Sequence, residues 1–341
     1  MASLRQRERV AAAAALFLSG KSIVVIGGGT GSYNVLSGLK NSSCRITAVV
    51  AMTDSGGSSG RLRDDFGHLP PGDVRQCLLA LSPDDHSSML LRHLFNYRFD
   101  KGDGLDGHSF GNLFLTALTE ITGSTEAAIR EAGRLLGIKG QVLPVTLTNV
   151  ALGARLENGR EIIGEANIDH RVVDPDVPID YVFLKPQAFV YPPTAKTIEE
   201  ADAVVMGPGD LYTSIVANLL VDGVSEAIRR SSGKRIFVCN LMTKRGESDG
   251  FTASRFIKEV QSYLGSHSAL DYVIVNDEPL PEKVVQRYAP EGSIPVEFDE
   301  AECRALGPTI VTAPLLAVGA FARHDPHRLA ETIRGILANG D

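Results

Sequence analysis

Short β-branched apolar runs that break into glycine and small hydroxyl residues recur along the chain. Ile23–Ser32 reads IVVIGGGTGS, and residues 46–63 read ITAVVAMTDSGGSSGRLR. Such a run is the pattern of a strand covered on both faces by helices, as in a parallel sheet. The same break returns after Ala203–Met206, after Arg235–Cys239 and after Tyr272–Val275. Between these runs the apolar residues take helical spacing. The pattern predicts helices at Tyr33–Lys40, at Val74–Leu81 with Asp73 as N-cap, and at Phe110–Ile121. Further helices are expected at Ser124–Leu136, stopped by Gly137, at SIVANLLV (214–221) and at Pro326–Leu337. Strands alternating with helices define an α/β fold with a Rossmann-like, doubly wound, mainly parallel sheet.

The texture changes near residue 124. From Val145 to Leu184 apolar and polar residues alternate, and Asn158-Gly159 between two such runs predicts a type I′ hairpin. This places a small hairpin-containing insertion at 124–200, between core segments 21–123 and 201–341. Residues 1–20 carry basic side chains ahead of an apolar run at Val10–Leu18. That run is too short to span a bilayer, and Leu18-Ser19-Gly20 fits a signal-peptide cleavage site poorly, so an N-terminal helix is expected.

With 341 residues, 43% hydrophobic and 22% charged, the chain has the composition of a globular protein large enough to bury a substantial core. A net charge of −7 leaves no overall basic field for nucleic acid or anionic lipid. Cys44, Cys77, Cys239 and Cys303 are scattered without a CxxC pair, which reads as a reduced, cytoplasmic chain. The histidines show no zinc spacing.

Ligands of open α/β sheets bind outside the carboxyl ends of the strands, so the five polar breaks are where chemistry is expected. In GGGTGS, Gly28, Gly29 and Gly31 allow close backbone approach, and Thr30 and Ser32 add hydroxyls. Ser32 stands where a dinucleotide fingerprint needs its last glycine, and no Gly-Lys-Ser/Thr follows, so a phosphate cradle is the reading that remains. Asp54 falls where a ribose-binding carboxylate would, and it equally suits Mg²⁺ or a plain turn. Gly57 lies in the second glycine turn, and Arg61 follows it within reach of a diphosphate; the alternative for Arg61 is a solvated helix face. His108 is an acid/base candidate or a structural histidine, and Asn112 suits a base or sugar edge or a helix cap. Gly207, Gly209, Asp210 and Thr213 form the third turn, and Asn240, Thr243 and Lys244 the fourth.

Taken in order, these motifs resemble the YvcK group of the CofD-like family. The segments are GGGTGS (27–32), GGSSGRLRDDFGHLPPGDVRQCLLAL (56–81), GHSFGNLFLTALTEI (107–121), GPGDLYTSIVANLLV (207–221), CNLMTKRGESDGF (239–251) and RHDP (323–326). The resemblance implies a Rossmann-like fold that binds a UDP-sugar such as UDP-N-acetylglucosamine, with Tyr288 and Arg323 completing the site. It also implies links to gluconeogenic growth, cell shape and cell-wall supply, a homodimer, a regulatory protein partner, and no assigned catalytic residue. Two departures stand out: Asp54-Ser55 replaces the group's usual paired aspartates, and Asp210 replaces a serine. The enzymatic relatives are the Mg²⁺-dependent phospholactate transferases, whose continuation after the second strand this chain lacks. A Mg²⁺-dependent group transferase is therefore the second expectation. An NAD-dependent dehydrogenase, the third, lacks a recognisable hydride-transfer site.

Overall fold

The computed structural model describes residues 19–338, so the helix expected over 1–20 lies, up to residue 18, outside them. The chain first forms β1 (Ser22–Gly27), β2 (Arg45–Val50) and β3 (Gln141–Pro144). It then forms β4 (Ala151–Leu156), β5 (Glu161–Ile163) and β6 (Ile179–Lys185). The last strands are β7 (Ala203–Met206), β8 (Lys234–Val238), β9 (Tyr272–Asn276) and β10 (Thr309–Ala313). Seven of these lie in the order β10-β9-β8-β7-β1-β2-β3, every pair parallel. The other three form a small antiparallel sheet, β5-β4-β6.

β1 is an interior strand, with Ile23 beside Ile46 of β2 on one side and Ala203 of β7 on the other. Ile23, Val24, Val25 and Ile26 are all buried, and each such side chain contributes about 1.5–3 kcal/mol through removal from water. Helices Gly29–Leu39, Gly72–Leu81 and Pro326–Ala338 pack together over the strands. The chain runs outward through β2 and β3, then returns to the far side of β1 to make β7. Ser22 donates its backbone N–H to the Asp202 carboxylate, 180 residues away, at 2.7 Å. That reversal is a topological switch point, and it opens a crevice at the carboxyl ends of β1 and β7.

Several local expectations change. The stretch 124–200 contains the small sheet, which itself spans 151–185. The same stretch begins with helix Thr125–Leu135 and β3, and β3 pairs with β2 in the main sheet. The Asn158-Gly159 hairpin is present, but only Gly159 has positive φ (85°), so it is not type I′. Its hydrogen bonds, Gly159 N–H to Leu156 and Leu156 N–H to Arg160, close a three-residue loop with glycine in the left-handed position. Helix Gly72–Leu81 is preceded by Pro71, and Asp73 lies in its first turn without capping it. After β7 the chain winds first as a π-helix, Leu211–Val216, because the Asp210 carbonyl accepts from both Ser214 and Ile215. Among the described residues no helix is long and apolar enough to cross a membrane.

Candidate functional site

The first glycine turn is itself the opening of a helix. Gly28 is its extended N-cap, and helix Gly29–Leu39 begins four residues before the predicted start at Tyr33. None of Gly28, Gly29 and Gly31 has positive φ, so these glycines serve close approach rather than an unusual turn. A Cβ at Gly31 would run into the Pro208 carbonyl, and one at Gly28 would lie 2.6 Å from the Ser214 hydroxyl. The turns after β1 and β7 therefore touch across the switch point, bringing Gly28–Ser32 together with Gly207, Gly209 and Asp210. Thr30 is exposed, and Ser32 is buried with its hydroxyl unpartnered. Asn240, at the end of β8, joins this group by donating to the Gly209 carbonyl at 2.9 Å.

The Gly29 N–H, where a phosphate was expected, faces a carboxylate of the protein instead. Asp73 takes that N–H and lies beside Asp54. Burial and the Asp54 charge push its carboxyl up to about 7, with the Gly29 N–H and Arg75 opposing. Asp54 itself accepts the Gly56 N–H at 2.9 Å, in the turn that starts helix Gly57–Phe66 at Gly57. Behind it Asn112 accepts from Arg75 at 2.9 Å and donates to Ser59 at 3.3 Å. Arg75 also donates to Asn96 at 2.7 Å. Asn112 thus braces the β2 end and presents no free amide edge to the crevice. Arg61 points to the Asp106 carbonyl, 2.8 Å away, and His108 is buried against the Ser58 hydroxyl at 3.0 Å. Burial, then the Arg61 charge, holds the His108 imidazole below its usual range, which fits a neutral brace.

The far wall is built around Lys244. Its Nζ contacts Asp169, lies 2.7 Å from Asp210 and 3.4 Å from Glu247. Glu247 in turn takes the backbone N–H groups of Tyr212 and Thr213 and, at 3.1 Å, the Thr213 hydroxyl. Burial, then Glu247, drives the Asp210 carboxyl upward. Glu165 is pushed up to about 7 by burial and then by Asp54. Thr243 is buried and accepts the Ile294 N–H at 3.0 Å.

Tyr288 and Arg323 lie near each other at the 321–324 segment. The Tyr288 hydroxyl accepts the Ala322 N–H at 3.2 Å. Arg323 is exposed, 5.6 Å from the Phe321 ring, and Arg287 stacks on that ring at 4.8 Å. Next to Arg323, the His324 imidazole is buried, held by the Cys239 carbonyl and pushed down to about 4 by desolvation.

The sequence reading missed Glu165, Asp169 and Glu247 and gave Asp73 only a capping role. Glu165 and Asp169 belong to a short helix of the insertion, Glu165–Asp169, which follows β5 of the small sheet through Gly164 rather than a strand of the main sheet. As a metal centre the arrangement is poor. Asp169, Asp210 and Glu247 each offer an oxygen within 4.8 Å of the others, a donor type that suits Mg²⁺, but the Lys244 ammonium already stands among all three, where a cation would sit. Asp54 has its Oδ1 on Gly56 and no place in that trio.

A seven-stranded parallel sheet with paired glycine turns at its switch point defines a Rossmann-like α/β protein. Residues 23–316 match the family described as 2-phospho-L-lactate transferase CofD. A Nostoc relative is 46% identical over 316 residues, 92% of this chain and 68% of its own length. The Bacillus subtilis gluconeogenesis factor is 39% identical over 317 residues, 92% of this chain and 98% of that protein. A crystal structure of an upf0052 family member from Bacillus halodurans superimposes with a TM-score of 0.87 at 39% identity, covering 92% of this chain and 99% of the other. The chain belongs to the CofD family and, within it, to the gluconeogenesis-factor group.

Proposed function

We propose that this protein is a cytoplasmic UDP-sugar-binding regulator of the gluconeogenic and cell-wall supply routes. Its nucleotide diphosphate lies across the β1/β7 switch point. The observation that carries this reading is the contact between the Gly28–Ser32 turn and the Gly207–Asp210 turn, which sets two close-approach backbone segments on either side of one crevice. Lys244 is the cation for the diphosphate, and Tyr288 with Arg323 receives the rest of the ligand. Four free cysteines accord with a reduced compartment. A homodimer and a protein partner that reads ligand occupancy belong to the same proposal.

Calorimetry with UDP-N-acetylglucosamine tests it. Micromolar binding to the native chain, weakened at least tenfold by Lys244→Gln, is the expected result. No heat and no thermal shift at millimolar ligand overturns it. A Mg²⁺-dependent transferase remains the second reading, favoured by Asp73 and Glu165, two carboxyls near 7 that suit proton transfer at neutral pH. Mg²⁺-dependent turnover of a phosphorylated substrate, abolished by Asp73→Asn, would decide for it.

A further inference from the structure

Helix Glu165–Asp169 leaves the three-stranded sheet and is tied at both ends to the strand ends of the main sheet. At its start the Ala166 N–H donates to the Ser55 hydroxyl at 2.9 Å, and the Ser55 N–H meets the Glu165 carboxylate at 3.4 Å. At its end Asp169 contacts the Lys244 ammonium. Ser55 follows β2 and Lys244 follows β8, and β1 and β7 lie between those strands. One short helix therefore links the two sides of the crevice.

The three carboxylates on Lys244 are not equivalent. Glu247 is fully enclosed and held by Tyr212 and Thr213. Asp210 is fixed in the turn after β7 by its backbone, whose carbonyl starts the following helix. Beyond Lys244, Asp169 lies 3.1 Å from the largely exposed His170 ring, and its backbone belongs to the insertion. It is the partner that can leave Lys244 without opening the main sheet.

We propose that Asp169 holds the position on Lys244 that a ligand phosphate takes, so that the docked position of helix Glu165–Asp169 and phosphate binding exclude each other. The chain thereby sets its own affinity through an internal competitor. This rests on the reading of Lys244 as the diphosphate cation, and the test separates the two.

UDP and inorganic pyrophosphate are titrated into the native chain, Asp169→Asn and Asp169→Glu, with hydrogen exchange followed at the amides of 165–170. Asp169→Asn tightens binding of both probes roughly tenfold, as loss of a partly buried charged competitor implies, and Asp169→Glu returns affinity toward native. In the free protein Asp169→Asn speeds exchange at 165–170, and in the native chain UDP does the same. Equal or weaker binding to Asp169→Asn, unchanged exchange in that variant, or protection of 165–170 by UDP each overturns the competition while leaving the ligand site standing. Failure of all three proteins to bind either probe overturns the ligand reading and this proposal with it.

Discussion

Replacing Asp73 with asparagine should make the protein more stable above neutral pH. Asp73 is set against the Gly29 N–H beside Asp54, and its carboxyl rises from 3.8 to about 7. The folded state therefore holds a proton that the unfolded state has released between those values. Stability falls as pH climbs through that window, and the loss is complete above about 7. Some three pKa units correspond to a ceiling of about 4 kcal/mol. Asp73 keeps partial contact with solvent and shares its repulsion with Asp54, which brings the realistic figure to about 2 kcal/mol. Asparagine retains an oxygen for the Gly29 N–H and cannot ionise, so it copies the protonated acid. Urea denaturation of native and Asp73→Asn proteins at pH 4.5, 6 and 8 isolates the group, because other titrating residues are common to both. The stability gap should be small at pH 4.5 and widen in favour of the variant up to pH 8. A variant less stable at pH 8, or a gap independent of pH, refutes the assignment of Asp73 as a partly buried acid crowded by Asp54.

Gly31→Ala should cost about 1–3 kcal/mol in chemical denaturation, the usual penalty for overpacking, and should also weaken UDP-N-acetylglucosamine binding, since the new methyl meets the Pro208 carbonyl. Unchanged stability would show that the two turns are not in contact. His324 works in the opposite sense to Asp73. Its imidazole falls from 6.5 to about 4, so the unfolded state takes up the proton first and stability drops as pH falls from 6.5 toward 4. The drop has a ceiling of about 3 kcal/mol. His324→Gln should flatten that limb of the stability-versus-pH profile, and an unaltered acid limb would contradict the burial of a neutral imidazole.

The sheet was legible because Ile23–Ile26, Ala203–Met206 and Ile236–Val238 are uninterrupted apolar runs, and covering both faces of a strand demands that pattern. β3 was not, since Gln141–Pro144 is a four-residue edge strand with one polar residue and a proline, too short to show a period. β10 escaped for a similar reason, with Thr309 and Thr312 exposed in an edge position. At the site, glycines marked where backbones approach, and Gly28 through Gly31 and Gly207 through Gly209 do meet. What glycine spacing does not encode is the group that fills the gap between turns. Asp73 lies some forty residues beyond the turn it contacts, and Asp169 comes from a helix of the insertion, so only the folded chain brings either carboxylate into place. Arg61 and Asn112 show the converse: nearness to glycine in sequence placed them at the crevice, whereas their hydrogen bonds turn them toward a carbonyl and toward Arg75.

The bond from Ser22 to Asp202 also sets a clock on the birth of the protein. β1 leaves the ribosome well before its second neighbour, β7, whose bond to it comes from 180 residues later. At ordinary rates of synthesis that interval is about 10–40 s. Throughout it a largely apolar, buried strand of the sheet has one bare edge, and the crevice has only one wall. Until β7 docks, a nascent chain offers that edge to any strand that meets it, so chaperone dependence and aggregation during synthesis should track the delay between β1 and β7 more closely than the stability of the finished fold.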